Sequence, residues 1–230
     1  GGELSVCVWL NGGGPVLRVA AGDAAAVRIA VDLVDPLPPV DVPGRTAPAA
    51  TSGWHNAIDA TERQDAVWYL RLADDGWSGD DASAAFFPLY PLTVRAVAWM
   101  LPDIWLGDEL MAALLVSNVA FLGALLALFA LTADAFGERV ARRAIVVAAL
   151  FPTAFFFLAP YTESLFLFLS ILAFRAARWD RWGHVAVTGA LAALTRSVGI
   201  LLIPALLVDA FSTKRGRSSS RRALAGRAAG

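Results

Sequence analysis

Cysteine, histidine and lysine are almost missing from this 230-residue chain. Cys7 is the single cysteine, which excludes an intrachain disulfide and any cysteine-built metal centre. His55 and His184 are the two histidines, far apart in sequence and without ligand spacing. Lys214 is the only lysine, so arginine supplies nearly all the positive charge. The formal net charge is -1, which removes the basic excess that nucleic-acid binding calls for. Gly12-Gly13-Gly14-Pro15 is followed by neither a phosphate-loop nor a dinucleotide-binding pattern, and reads as a flexible linker. Charge of both signs is thin. Charged residues make up 17% of the chain, against 57% hydrophobic, with a mean hydropathy of +0.59. That balance is too apolar for an ordinary soluble domain.

What the chain does have is long apolar runs with charges at their ends. Leu110–Thr132 follows Glu109 with no charged residue, and a helix needs about 20 such residues to cross a bilayer core of about 30 Å. Ala144–Ala159 and Ser164–Ala177 read as two further crossings. Arg139, Arg142 and Arg143 precede the first of these, and Arg175, Arg178 and Arg181 close the second. Arginine-bearing connections mark the cytoplasmic face, which puts the hairpin tip Pro160-Tyr161-Thr162-Glu163 outside. The apolar region Gly183–Phe211 would leave Lys214, Arg215, Arg217, Arg221 and Arg222 outside if it crossed once. A break near 195–199, at Thr195-Arg196-Ser197-Val198-Gly199, returns that tail to the inside. The expected fold is therefore all-α, a polytopic membrane helical bundle within a lipid bilayer. Residues 109–211 form its spans and 212–230 a basic cytoplasmic tail.

Residues 1–50 carry five prolines between 36 and 48, and Arg18, Asp23, Arg28 and Asp32 interrupt Val16–Val34, so the segment reads as poorly structured. Residues 51–108 mix tryptophan, carboxylates and proline, the composition of an extracytoplasmic loop with interfacial helices. Ala60–Asp74 reads as a short amphipathic helix. Ala84–Leu101 holds a second helical pattern, and Pro88, Pro91 and Arg95 count against its being a span.

Charges at membrane depth are costly and default to functional hypotheses. Glu163 and Arg196 are the two. The plain alternatives are a helix-start carboxylate favoured by the dipole and a cation reaching for head groups. Asp59, Glu62, Asp65, Asp74, Asp75, Asp80 and Asp81 make the loop acidic, and solvation accounts for most of them; their spacing does not match a calcium loop. Asp65 stands directly before Val67, Trp68 and Tyr69, where a carboxylate at the membrane surface could take a proton from a hydroxyl.

Five blocks in order then carry a family resemblance. Gln64-Asp65-Ala66-Val67-Trp68-Tyr69-Leu70-Arg71-Leu72-Ala73-Asp74-Asp75-Gly76-Trp77 resembles the W-D-A-x-W-Y-L-x-I-A-x-x-G-Y motif of bacterial PIG-V-like mannosyltransferases. Ala85-Phe86-Phe87-Pro88-Leu89-Tyr90-Pro91-Leu92 is similar to their A-F-F-P-L-Y-P-L. Phe151-Pro152-Thr153-Ala154-Phe155-Phe156, Tyr161-Thr162-Glu163-Ser164-Leu165-Phe166 and Leu194-Thr195-Arg196-Ser197-Val198-Gly199 follow as three more, and together the blocks cover about residues 60–205. The resemblance implies a GT-C glycosyltransferase that moves mannose, with inversion, from a polyprenyl-phosphate donor to a hydroxyl acceptor. It implies Asp65 as the catalytic carboxylate of an extracytoplasmic loop. Arg196 would hold the donor phosphate and Glu163 would orient Arg196 or a sugar hydroxyl. Trp68, Tyr69, Tyr90 and Tyr161 would support sugar or lipid. No metal or cofactor is required. The sequence departs from the motifs at Gln64 (tryptophan in the family), Trp77 (tyrosine) and Ser197 (proline, a lost backbone constraint). Family members carry a first membrane helix and further spans, so this chain is expected to be partial. Two other readings of the residues stay open: a transporter or flippase-like segment with Glu163 and Arg196 as a relay, and an inactive truncated membrane subunit.

Overall fold

A computed structural model of the chain describes residues 3–7, 15–21, 27–33, 40–47, 61–62, 64–78, 82–101 and 109–209. His55, Asp59, Asp80, Asp81 and the basic tail 212–230 lie outside the described residues. The chain divides into two compact units. One comprises Gly1–Phe86, Pro91–Ser117 and Leu150–Tyr161, the other Phe87–Tyr90, Asn118–Ala149 and Thr162–Gly230.

The first unit begins with β1 (Glu3–Cys7), β2 (Pro15–Ala21) and β3 (Val27–Leu33), an antiparallel sheet in which Cys7 pairs with Val16 and Arg18 with Ala30. The reading of residues 1–50 as poorly structured named no such element. The signal lay in the alternation Val27, Ile29, Val31, Leu33 against Arg28 and Asp32: charges that count against a membrane span fit a period of two. A hairpin of β4 (Val40–Val42) and β5 (Arg45–Ala47) follows.

From Gln64 onward the described residues hold only helices and turns, so the fold there is all-α. Helix α1 is Asp65–Asp74 and α2 is Leu89–Met100. The 28-residue α3, Glu109–Phe136, is about 42 Å long at 1.5 Å per residue. It has the length and apolar composition to cross a bilayer, and no other helix among the described residues passes both tests. Its two faces differ in a telling way. Ala113, Ser117, Ala120, Ala124 and Ala127 are buried, whereas Leu115, Val119, Leu122 and Leu126 are exposed. Both series advance by three or four residues, so each is a stripe along one face. This buried stripe of small residues against an exposed stripe of large apolar ones reverses the pattern of a helix on a water-soluble protein, although Leu110, Val116 and Phe121 are buried as well.

Gly137, at φ +86°, ends α3 in the left-handed conformation that a residue without Cβ adopts freely, and its N–H donates to the Ala133 carbonyl at 2.9 Å. Helix α4 (Glu138–Leu150) starts at once. Its span was expected at Ala144–Ala159. Instead the helix takes Arg139, Arg142 and Arg143 into its first turns and stops two residues before Pro152, which has no N–H to continue the ladder. A 3-10 turn, Ala154–Phe157, leads on to α5 (Glu163–Arg178) and α6 (Trp182–Ala193). Ser197–Asp209 forms α7, opening with a 3-10 turn over Ser197–Leu201. In the second unit, Ala173 and Ala177 of α5 pack with Val185 of α6 and Leu206 of α7, and Ala124 and Ala127 of α3 pack with Ile171 of α5.

Candidate functional site

In the first unit the site is built on α1. Asp65 is its first residue and is exposed, with no hydrogen bond or ion pair among the described residues. Gln64, immediately before it, has φ 51° and ψ -124°. Glycine takes that conformation freely, and a residue with a Cβ adopts it at a cost of about 1–3 kcal/mol. Behind Asp65 the helix is buried through Ala66, Val67, Leu70, Leu72 and Ala73. Trp68 and Tyr69 turn to one aromatic neighbour: Phe86 stacks on Trp68 at 5.4 Å and takes the edge of Tyr69 at 5.3 Å. Phe86 lies in the block Ala85–Leu92, and sequence alone gives no sign of its contact with both rings.

Two arginines fix this helix. Arg71 is buried, lies 5.7 Å from the Trp68 ring centre, and donates from Nη2 to Ser78 Oγ at 3.3 Å. Arg95 donates from Nε to the Ala73 carbonyl at 2.5 Å and from Nη2 to the Asp74 carbonyl at 2.6 Å. A cation there satisfies the unpaired carbonyls of the last turn and meets the negative end of the helix dipole. The charge that argues against a span in Ala84–Leu101 thus serves as the C-terminal anchor of α1. Glu62, grouped by its sequence with the solvated carboxylates, is buried; Arg45 Nε donates to its Oε1 at 2.6 Å. The partners are 17 residues apart, and no local pattern reveals them. Tyr161, also in this unit, is buried, with its ring edge-on to Phe156 at 5.4 Å and its carbonyl accepting from Ser117 Oγ at 3.4 Å.

In the second unit the site is the interruption between α6 and α7. Leu194 and Thr195 leave the helix as a turn, and Arg196 is extended at φ -155° and ψ 148°. The freed polar groups find partners. Thr195 is buried and its hydroxyl donates to the Ala192 carbonyl at 2.6 Å. The Leu194 carbonyl accepts from the Leu89 N–H at 3.0 Å, and the Arg196 carbonyl from the Gly199 N–H at 2.9 Å. Gly199 allows α7 to begin this close to α6: a Cβ there would stand 2.5 Å from the Ala193 Cα and 2.7 Å from the Ala192 carbonyl oxygen. Arg196 Nη1 donates to Glu163 Oε1, joining the break to the first residue of α5. The guanidinium side chain is 38% exposed and the carboxylate 29%, so the pair sits at a boundary rather than in the core. Glu163 Oε2 is buried and accepts no hydrogen bond among the described residues. It is an acceptor without a donor, and Arg196 keeps guanidinium N–H groups that Glu163 does not use. Tyr90, in the same unit, is fully buried.

Asp65, Trp68, Tyr69 and Tyr161 therefore belong to one unit, and Tyr90, Glu163 and Arg196 to the other. Glu163 and Arg196 touch; Trp68 and Tyr69 share one aromatic partner. Among the described residues no group of three histidine, cysteine or carboxylate side chains is placed to hold a metal ion. The family model described as Mannosyltransferase (PIG-V) matches residues 42–213, well over half of the chain. No curated protein and no solved structure matches.

Proposed function

Because the chain belongs to the mannosyltransferase (PIG-V) family, a family of glycosyltransferases, we propose that it acts in a membrane and transfers mannose from a polyprenyl-phosphate donor to a hydroxyl acceptor, with inversion. The observation that carries the reading is the Arg196–Glu163 pair at the interrupted helix. A guanidinium held there by a single carboxylate has the donor geometry to take a phosphate oxygen pair.

Asp65 is the general base. It removes the proton from the acceptor hydroxyl as that oxygen attacks the anomeric carbon from the face opposite the phosphate. The bond from the anomeric carbon to the phosphate oxygen breaks, and polyprenyl phosphate departs with the electron pair. Arg196 neutralises the charge that develops on the leaving phosphate. Glu163 holds Arg196 through Oε1, and its unpaired Oε2 accepts from a sugar hydroxyl. Trp68, half-buried, supports the sugar, while Tyr69, Tyr90 and Tyr161, all buried, support the backbone around the site. The exposed stripe of Leu115, Val119, Leu122 and Leu126 on α3 supports contact with lipid tails. In the proposed orientation the loop bearing Asp65 faces away from the cytoplasm, on the plasma membrane of a bacterium.

The test is a transfer assay in membranes containing the protein, with radiolabelled polyprenyl-phosphate mannose. Label should move to an acceptor fraction in wild type, and Arg196→Ala should raise the donor concentration needed for half-maximal rate. Uptake of free label into sealed vesicles without any transferred product would overturn the enzyme reading in favour of transport.

A further inference from the structure

The turn between α5 and α6 builds a second polar site that the proposed transfer does not use. Leu172 and Arg175 lie three apart on α5, and Trp179 follows its last residue; His184 and Thr188 lie four apart on α6, and Arg181 stands in the turn. Together they line a cavity of about 290 Å³. Glu163 opens α5 and Arg175 is twelve residues on, so about 18 Å of helix separates this cavity from the Arg196 pair.

Its charge is unbalanced. Arg178, on the same helix, lies 3.8 Å from Asp209. Arg175 and Arg181 have no carboxylate partner among the described residues. Arg175 Nε is buried and makes no hydrogen bond, an orphaned donor of the kind that an anion would satisfy. Arg181 is exposed and stands 6.0 Å over the Trp179 ring, which places its guanidinium beside the cavity. Thr188 donates its hydroxyl proton to the His184 carbonyl at 2.7 Å, leaving its oxygen lone pairs and the imidazole to complete the wall. Asp180 lies in the same turn and is exposed.

We propose that this cavity binds a phosphate group, with Arg175 and Arg181 as its two cationic donors. Two arginines at one concave site suit tetrahedral phosphate oxygens better than a lone carboxylate. Exposed Trp179 and Trp182 beside the turn suit the headgroup level of a membrane. A lipid phosphodiester and a soluble phosphate share this chemistry, and the experiment has one arm for each.

The purified full chain is reconstituted with phosphatidylglycerol and phosphatidylcholine at one to three, and co-purifying lipid is counted by native mass spectrometry. In the second arm, binding of inorganic phosphate is followed by 31P line broadening. Wild type should retain phosphatidylglycerol preferentially, and Arg175→Gln with Arg181→Gln should lose about ten-fold of that retention. Arg142→Gln, on α4, should lose none. Arginine-dependent binding of inorganic phosphate without lipid preference assigns the same site to a soluble phosphate. Should the double variant lose its helical signal, the exposed His184→Ala serves instead, with a loss of about three-fold expected. If neither probe binding depends on the tested residues, or if Arg142→Gln loses as much as the cavity variants, the proposal fails.

Discussion

Four of the described helices begin on a carboxylate, and two of these, Asp65 and Glu163, are treated differently. Asp65 opens α1 exposed and without a partner among the described residues. Glu163 opens α5 partly buried, with one oxygen on Arg196 and the other sealed from solvent. Both gain from the helix dipole, by about 0.3–1 kcal/mol each. That shared position does not set their chemistry. In the proposed mechanism Asp65 is the base and Glu163 the anchor: the Asp65 side chain has no contact that a substrate must displace, whereas Glu163 is engaged with Arg196.

The comparison can be broken from either side. The largest effect is expected at Asp65: Asp65→Asn keeps the shape, removes the base, and should lower mannose transfer about 10³-fold. Retained helical signal and membrane insertion would separate that loss from misfolding. Next comes Arg196→Ala, with an expected loss of about 10²-fold in kcat/KM for the donor, read from the donor dependence of the rate. Arg196→Lys should recover only part, because an ammonium lacks the planar pair of donors. A full recovery would mean that charge alone is used there.

Gly199→Ala sharpens the comparison at the Glu163 side without touching either charge. The added methyl meets backbone atoms of Ala193 and Ala192, so the break must open, at a cost of about 1–3 kcal/mol in stability. An unchanged thermal midpoint would show that the break tolerates the extra atom. Arg95→Ala probes the other side by removing two donors from the C-terminal carbonyls of α1, and should cost about 1 kcal/mol in a denaturant titration. Smallest is Arg142→Ala. Its pair with Glu138 is 2.8 Å long but solvent-exposed on both sides and screened accordingly, so the effect should stay within about 0.5 kcal/mol.

The sequence made some of this plain. A charge-free run from Leu110 to Thr132 has few outcomes other than one long helix, and α3 extends that run by a turn or less at either end. Arg196 in an apolar stretch marks a place where a continuous helix is costly, and the structure leaves the helix at Leu194 and Thr195. Other features had no local signature. The strands of residues 3–33 fall in a segment that reads as poorly structured, because Arg28 and Asp32 break an apolar run while keeping the two-residue alternation of a strand. Helix α4 was placed by hydrophobic length, whereas its end follows from Pro152 and its start from Gly137. Burial of Glu62 on Arg45, and the anchoring of α1 by Arg95, depend on residues 17 and more than 20 positions away. For the candidate site, residue types were legible and partnerships only in part. The contact of Phe86 with both Trp68 and Tyr69 joins residues 17 or 18 positions apart, and no local pattern reveals it.

The most direct measurement sets Asp65→Asn beside Glu163→Gln in one transfer assay with the same donor, across a range of donor concentrations. The account expects Asp65→Asn to lose turnover at every concentration, while Glu163→Gln keeps measurable turnover and needs more donor. Equal turnover losses in the two variants, or transfer surviving in Asp65→Asn, would contradict the division between a cycling carboxylate and an anchored one.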